Sequence, residues 1–138
     1  MSKTALITGA TSGIGKATVI EFAKMGWNVI ATQRNPEKEK DFDEFPNLKM
    51  YSLDVTNLES IKQTISQVKE DYGKIDVVVN NAGYGVDGAF EAMSDEIIEK
   101  QFNTNVFGLM RVTREAIKHM RPNGGGTIIQ ISSMGGKI

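Results

Sequence analysis

Short runs rich in Val, Ile, Leu and Ala recur along this chain, and the segments between them repeat their apolar residues every three or four positions. The runs fall at 5–7, 28–32, 48–53, 75–79 and 127–131. A strand that is apolar at nearly every position is buried on both faces, as in a parallel sheet covered by helices. Helical period begins at Gly13, is carried by Ile14, Ala17, Ile20, Phe22 and Ala23, and stops near Met25 at Gly26. A second helix opens at a Thr56-x-x-Glu59 capping box and runs to about Tyr72, with Leu58, Ile61, Ile65 and Val68 on one face. Ser94 caps a third from Asp95, and a longer pattern over 104–120 predicts Val106, Leu109, Met110 and Ile117 against the sheet. Residues 35–47, with Pro36, Pro46 and the charged stretch 37–44, predict a solvated loop with at most a short helix. Strands alternating with helices through right-handed crossovers give an α/β fold with a doubly wound parallel sheet. The expected strand order is 3-2-1-4-5.

Composition narrows the function. The 138 residues fit one domain, 1–138, and 40% hydrophobic with 24% charged residues is ordinary globular usage. Sixteen Lys and Arg against seventeen Asp and Glu give a net charge of −1. That balance offers no basic face for nucleic acid and no attraction to an anionic membrane surface. There is no cysteine, which removes disulfides, thiolate metal sites and thiol nucleophiles. One histidine, His119, cannot build a multi-histidine metal site, so no metal is expected. No apolar run reaches the ~18 residues that span a bilayer. Met-Ser-Lys leads directly into the first run without a signal-like segment, so a cytoplasmic protein is expected.

The turn Thr8-Gly9-Ala10-Thr11-Ser12-Gly13-Ile14-Gly15 joins the first strand to the first helix. Glycines in such a turn serve three ends: a tight bend, close approach of backbone N–H groups to a pyrophosphate, and close packing of helix on sheet. The helix N-terminus behind them carries the positive end of its dipole. Gly15-Lys16 is not part of a P-loop. Position 10 is Ala where that motif requires Gly, and position 17 is Ala where it requires a metal-binding hydroxyl.

Further motifs follow in order. The 8–15 turn resembles the T-G-x-x-x-G-I-G element of the short-chain dehydrogenase/reductase family. Asp54-Val55, Asn80-Asn81-Ala82-Gly83, Asn105-Val106-Phe107-Gly108 and Ile131-Ser132-Ser133 resemble that family's D-V, N-N-A-G, N-V-x-G and I-S-S elements. The resemblance implies a Rossmann-type NAD(P)-binding domain. It assigns Gly9, Ser12, Gly13, Ile14 and Gly15 to the cofactor's diphosphate and ribose. Asp54 would accept from the adenine amino group, Val55 would add backbone contacts, and Asn81, Ala82 and Gly83 would line the adenosine ribose. Asn80 would be structural. Asn105 would hold a relay water on its carbonyl, and Ser133 would hydrogen-bond the oxygen of a small carbonyl or alcohol substrate. The family also uses a Tyr with a Lys four residues on, the Lys lowering the phenol pKa. Here Tyr51, Tyr72 and Tyr84 are followed at that spacing by Val55, Asp76 and Gly88. The chain is therefore expected to lack the family's C-terminal part, stopping before that pair, and to be inactive alone.

The end of the second strand bears on cofactor choice. A carboxylate there selects NAD by binding both ribose hydroxyls. This chain has Gln33 followed by Arg34, which can take a phosphate on two nitrogens, with Ser12 as a further donor. NADP(H) is the expected cofactor. A nucleotide-binding module without redox chemistry is the alternative, and a Gly turn serving packing alone is a third reading. The family commonly associates through the helices after the fourth and fifth strands, so a homo-oligomer is expected.

Overall fold

A computed structural model describes residues 2–36 and 39–136. Five strands, β1 Thr4–Ile7, β2 Asn28–Gln33, β3 Leu48–Ser52, β4 Val77–Asn80 and β5 Thr127–Gln130, form one sheet. Their order is β3-β2-β1-β4-β5 and every pairing is parallel, as the alternation of runs predicts. Four α-helices accompany them: α1 Gly13–Lys24, α2 Leu58–Tyr72, α3 Asp95–Phe102 and α4 Leu109–Met120. A π-helical segment, Asn103–Gly108, joins α3 to α4.

Side chains along a strand alternate between faces, and this splits the core in two. Ala5, Ile7, Val29, Ala31, Val77 and Val79 pack with Val19 and Ala23 of α1. Leu6, Ile30 and Val78 pack with Ile61, Ile65 and Val68 of α2 and Val112, Ala116 and Met120 of α4. The continuous apolar runs of β1, β2 and β4 match coverage on both faces, whereas β5, expected to be buried likewise, is largely exposed because no helix among the described residues covers its second face.

Three local expectations need correction. The cap of α2 is Asn57, whose side chain accepts from the Ser60 N–H, and not Thr56. Thr56 instead gives its N–H and hydroxyl to Asp54, which leaves it no capping role. In α1 the inward face is Gly15, Val19 and Ala23, and Ile14 is 62% exposed. In α4 the buried stripe is Val112, Glu115, Ala116, His119 and Met120, continued from Gly108, while Val106, Met110 and Ile117 face outward. The physical reason is closeness. A Cβ on Gly108 would lie 2.7 Å from Val55 Cγ2, so the helix meets the sheet layer through small residues. The bulkier neighbouring stripe could not approach so near.

Among its described residues, loop 35–47 holds one short 3-10 turn, Lys40–Phe42. Glu37 and Lys38, in the stretch expected to be solvated, lie outside the described residues. Lys16 of α1 pairs with Glu39 at 3.3 Å and Asp41 at 2.7 Å, tying the loop to the first helix.

Candidate functional site

The carboxyl ends of β1, β2, β3 and β4 open into a cavity of about 590 Å³. Ligands of doubly wound sheets bind at this edge, and the volume is that of an ordinary small-molecule site. Its lining contains Gly9, Ser12, Ile14, Arg34, Asp54, Val55, Asn81, Ala82 and Gly83, nine of the expected residues. It also contains Thr8, Gln33, Leu53, Thr56, Tyr84, Lys100 and Thr104.

The three glycines of the turn have different surroundings. Gly9 has φ +61°, and a Cβ there would sit 2.9 Å from Ala82 Cα. Gly15 is the packing glycine, because a Cβ would lie 2.1 Å from the Gly9 carbonyl oxygen and 2.4 Å from Asn81 Nδ2. Gly13 has φ +54° and nothing within 4 Å of its Cβ position. It begins α1, so a ligand can approach the first-turn N–H groups there. Ser12, the N-cap residue, makes no side-chain capping bond.

Hydrogen bonds fix the β4 end against the turn. Asn81 Nδ2 donates to the Gly9 carbonyl at 2.9 Å. The N–H groups of Asn81 and Ala82 both donate to Thr8 Oγ1 at 3.0 Å. Thr32 Oγ1 donates to the Ile7 carbonyl at 2.9 Å, holding the ends of β1 and β2 together. Asn80, expected to be structural, ties β4 to α4 by donating to Thr113 Oγ1 at 3.0 Å.

Asp54 Oδ1 accepts from the Thr56 N–H at 2.9 Å and hydroxyl at 2.6 Å, and Oδ2 lies 3.7 Å from Arg34 Nε. Burial pushes the carboxyl up, but the Thr56 donors and the Arg34 charge outweigh it and hold Asp54 below its ordinary value. It is an anionic acceptor at neutral pH. The Arg34 side chain is 67% exposed at the cavity mouth. Beside it, Gln33 Oε1 is shut off from solvent with no hydrogen-bond partner among the described residues. A buried acceptor without a partner is uncommon in a folded protein.

Gly13, Gly15, Asn105 and Ser133 stand outside the cavity lining. Asn105, in the π segment, reaches the site through its amide, which clasps the backbone of Tyr84. Ser133 lies exposed beyond β5, where its Oγ accepts from the Gly135 N–H at 3.1 Å. The Ile131 N–H donates to the Asn80 carbonyl, so Ser133 shares the sheet edge on which the Asn81–Gly83 turn sits. Thr8, Tyr84, Lys100 and Thr104 were not singled out as site residues from sequence. Tyr84 directly follows the Asn81-Ala82-Gly83 run, a signal that was there to be used. Lys100 and Thr104 carried none, because a cavity wall formed by a helix's last turn leaves no spacing rule.

The profile of the family described as short chain dehydrogenase matches residues 3–138, and the chain belongs to that family. A 3-ketodihydrosphingosine reductase of Bacteroides thetaiotaomicron is 39% identical over 131 residues, 95% of this chain and 47% of the relative. A 3-oxoacyl-[acyl-carrier-protein] reductase, FabG, of Thermotoga maritima is 38% identical, over 97% of this chain and 56% of the relative. Among solved structures, ElxO with NADP bound superposes with a TM-score of 0.92 at 37% identity, covering 100% of this chain and 58% of that one. An actinorhodin polyketide ketoreductase with NADPH gives 0.93 at 36% identity, covering 99% and 55%. The chain thus spans about half the length of the relatives it matches. No helix among the described residues is long and apolar enough to cross a membrane.

Proposed function

We propose that residues 1–138 form the NADP(H)-binding unit of an oxidoreductase that moves a hydride between the cofactor and a small carbonyl or alcohol substrate. The observation that carries the reading is the pairing of a phosphate-accessible Gly13 turn with Arg34 at the mouth of the same cavity and no carboxylate at position 33. NADP bound to ElxO and NADPH bound to the polyketide ketoreductase support the choice of cofactor.

When bound, NADP(H) supplies the nicotinamide that gives or takes the hydride. The chain's own residues bind and orient. The first turn of α1 and Ser12 face the diphosphate, and Arg34 takes the 2′-phosphate. Asp54 accepts from the adenine amino group, Val55 flanks the base, and Asn81, Ala82 and Gly83 hold the ribose. Asn105 keeps a relay water on its backbone carbonyl, and Ser133 donates to the substrate oxygen. Among these 138 residues no tyrosine has a lysine four positions on. Positioned acid–base catalysis contributes typically ~10²–10⁴-fold, so these residues alone turn over slowly.

The unit works in the cytoplasm as a homo-oligomer. Phe102, Val106, Met110 and Ile117, exposed along one helical run, support a self-association face.

The test is Ser133→Ala in active protein containing this chain, assayed by NADPH oxidation with carbonyl substrates. The reading expects turnover to fall sharply while NADPH affinity stays near the parent's. Unchanged turnover removes Ser133 from the chemistry, and binding of NADPH with no hydride transfer by the parent favours a nucleotide-binding module.

A further inference from the structure

Arg111, in the first turn of α4, is half-buried, and no carboxylate lies within 4 Å of it among the described residues. Its charge is spent on two backbone carbonyls. Nη1 donates to the Val55 oxygen at 3.4 Å and to the Asn103 oxygen at 3.3 Å. These carbonyls belong to two of the segments that wall the cavity. Val55 lies in the 53–56 stretch after β3, all of which lines the cavity, and Asn103 precedes Thr104, which lines it from the helix. A single nitrogen therefore spans both. Asn103 is also the first residue of the π segment, where a widened turn interrupts the ordinary i→i−4 ladder.

Two further contacts make this link stiff. Val55 packs against Gly108, one turn before Arg111, so tightly that a Cβ on Gly108 would overlap it. On its other side, Asp54 holds Thr56 by two hydrogen bonds, fixing the peptide units around Val55. The 53–56 segment is thus held locally by Asp54 and held to the helix by Arg111.

We propose that Arg111 is a positioning residue for the adenine base: by holding Val55 and Asn103 on one guanidinium nitrogen, it sets the separation of the two segments that flank the base. The inference rests on the cofactor reading above and extends it to a residue that does not itself line the cavity. Both hydrogen bonds from the guanidinium are lost with Arg111→Met, and the flanking segments are released. Arg111→Lys retains an ammonium that can donate to both oxygens, but as a point charge.

The experiment is calorimetric titration of folded protein containing this chain with 2′,5′-ADP, which carries the base, ribose and both phosphates without nicotinamide, alongside thermal unfolding of each ligand-free protein. Arg111→Met is expected to weaken 2′,5′-ADP by roughly tenfold, the scale of one charge-assisted hydrogen bond, with the unfolding midpoint close to the parent's. Arg111→Lys is expected to recover most of that affinity. If Arg111→Met does not fold, Arg111→Gln, which keeps one amide donor, is held to the same criterion. Parent-like affinity in the Met or Gln variant overturns the proposal. So does a loss that Arg111→Lys leaves unrepaired. Failure of the parent protein to bind 2′,5′-ADP overturns the cofactor reading itself and this inference with it, so the two failures are distinguishable.

Discussion

Asn105 grips Tyr84 from both sides: its Oδ1 accepts from the Tyr84 N–H at 3.0 Å, and its Nδ2 donates to the Tyr84 carbonyl at 2.7 Å. A single carboxamide thus holds the chain leaving β4 to the π segment before α4, and it sets where Tyr84 enters the cavity. Only Asn offers a donor and an acceptor at this reach. Asn105→Asp keeps the acceptor and turns the donor into a charge facing a carbonyl, and Asn105→Ala removes both. Both variants are expected to lose stability in urea unfolding, by about 1–2 kcal/mol for the pair of bonds, and to bind nucleotide more weakly. Unchanged unfolding in both would show that the clasp carries no weight.

The two glycines at the start of α1 should respond oppositely to alanine. Gly15→Ala drives a methyl into the Gly9 carbonyl and Asn81, and is expected to cost about 3 kcal/mol or more. Gly13→Ala meets open space and bears only the left-handed backbone cost of roughly 1–2 kcal/mol. Its added methyl should nonetheless obstruct the phosphate approach. Chemical denaturation and cofactor titration of the pair check this. Equal stability losses would contradict the division of roles.

His119 gives the fold a pH dependence. Its Nε2 accepts from the Ile75 N–H at 3.1 Å, so the imidazole must be neutral and carry its proton on Nδ1. Burial, with a smaller push from Lys69, holds its pKa below the ordinary value. The unfolded chain, with a histidine pKa of about 6.5, then binds more protons than the folded one. The stabilisation is complete above that pH and is lost as pH falls through it toward the folded value. Thermal midpoints from pH 8 to 5 should fall toward acid, and His119→Gln, which keeps a non-titrating acceptor, should flatten that part of the curve. An identical slope in the variant would contradict the assignment, since His119 is the only histidine.

Met110 sits 59% exposed on the outward face of α4. If that face is where copies meet, Met110→Glu should shift sedimentation toward monomer at a fixed protein concentration, with the cofactor site intact. A parent protein that is already monomeric at tens of micromolar would contradict the association.

The sequence was most informative where one physical rule acted alone. Apolar runs at 28–32 and 75–79 had to be doubly buried, and that requirement led to the parallel order. The need for glycines in the 8–15 turn followed from turn geometry, and which glycine meets which constraint came from the structure. It was least informative where two rules competed. Thr56 had a capping pattern, but Asp54 two residues earlier claimed its hydroxyl and N–H. In α4 two adjacent stripes were both partly apolar, and the sheet took the one with Gly108 and Ala116 because closeness outweighed bulk. Glu115 and His119 on that stripe disguised it. Arg111 was invisible in advance, since its partners are backbone carbonyls that sequence does not distinguish.

The most direct test is paired calorimetric titration of the chain with NADPH and NADH, repeated with Arg34→Ala. The account predicts NADPH binding at least about tenfold tighter, or roughly 1.4 kcal/mol, a preference that shrinks with salt and largely disappears in Arg34→Ala. Equal or tighter binding of NADH by the folded parent protein would contradict it.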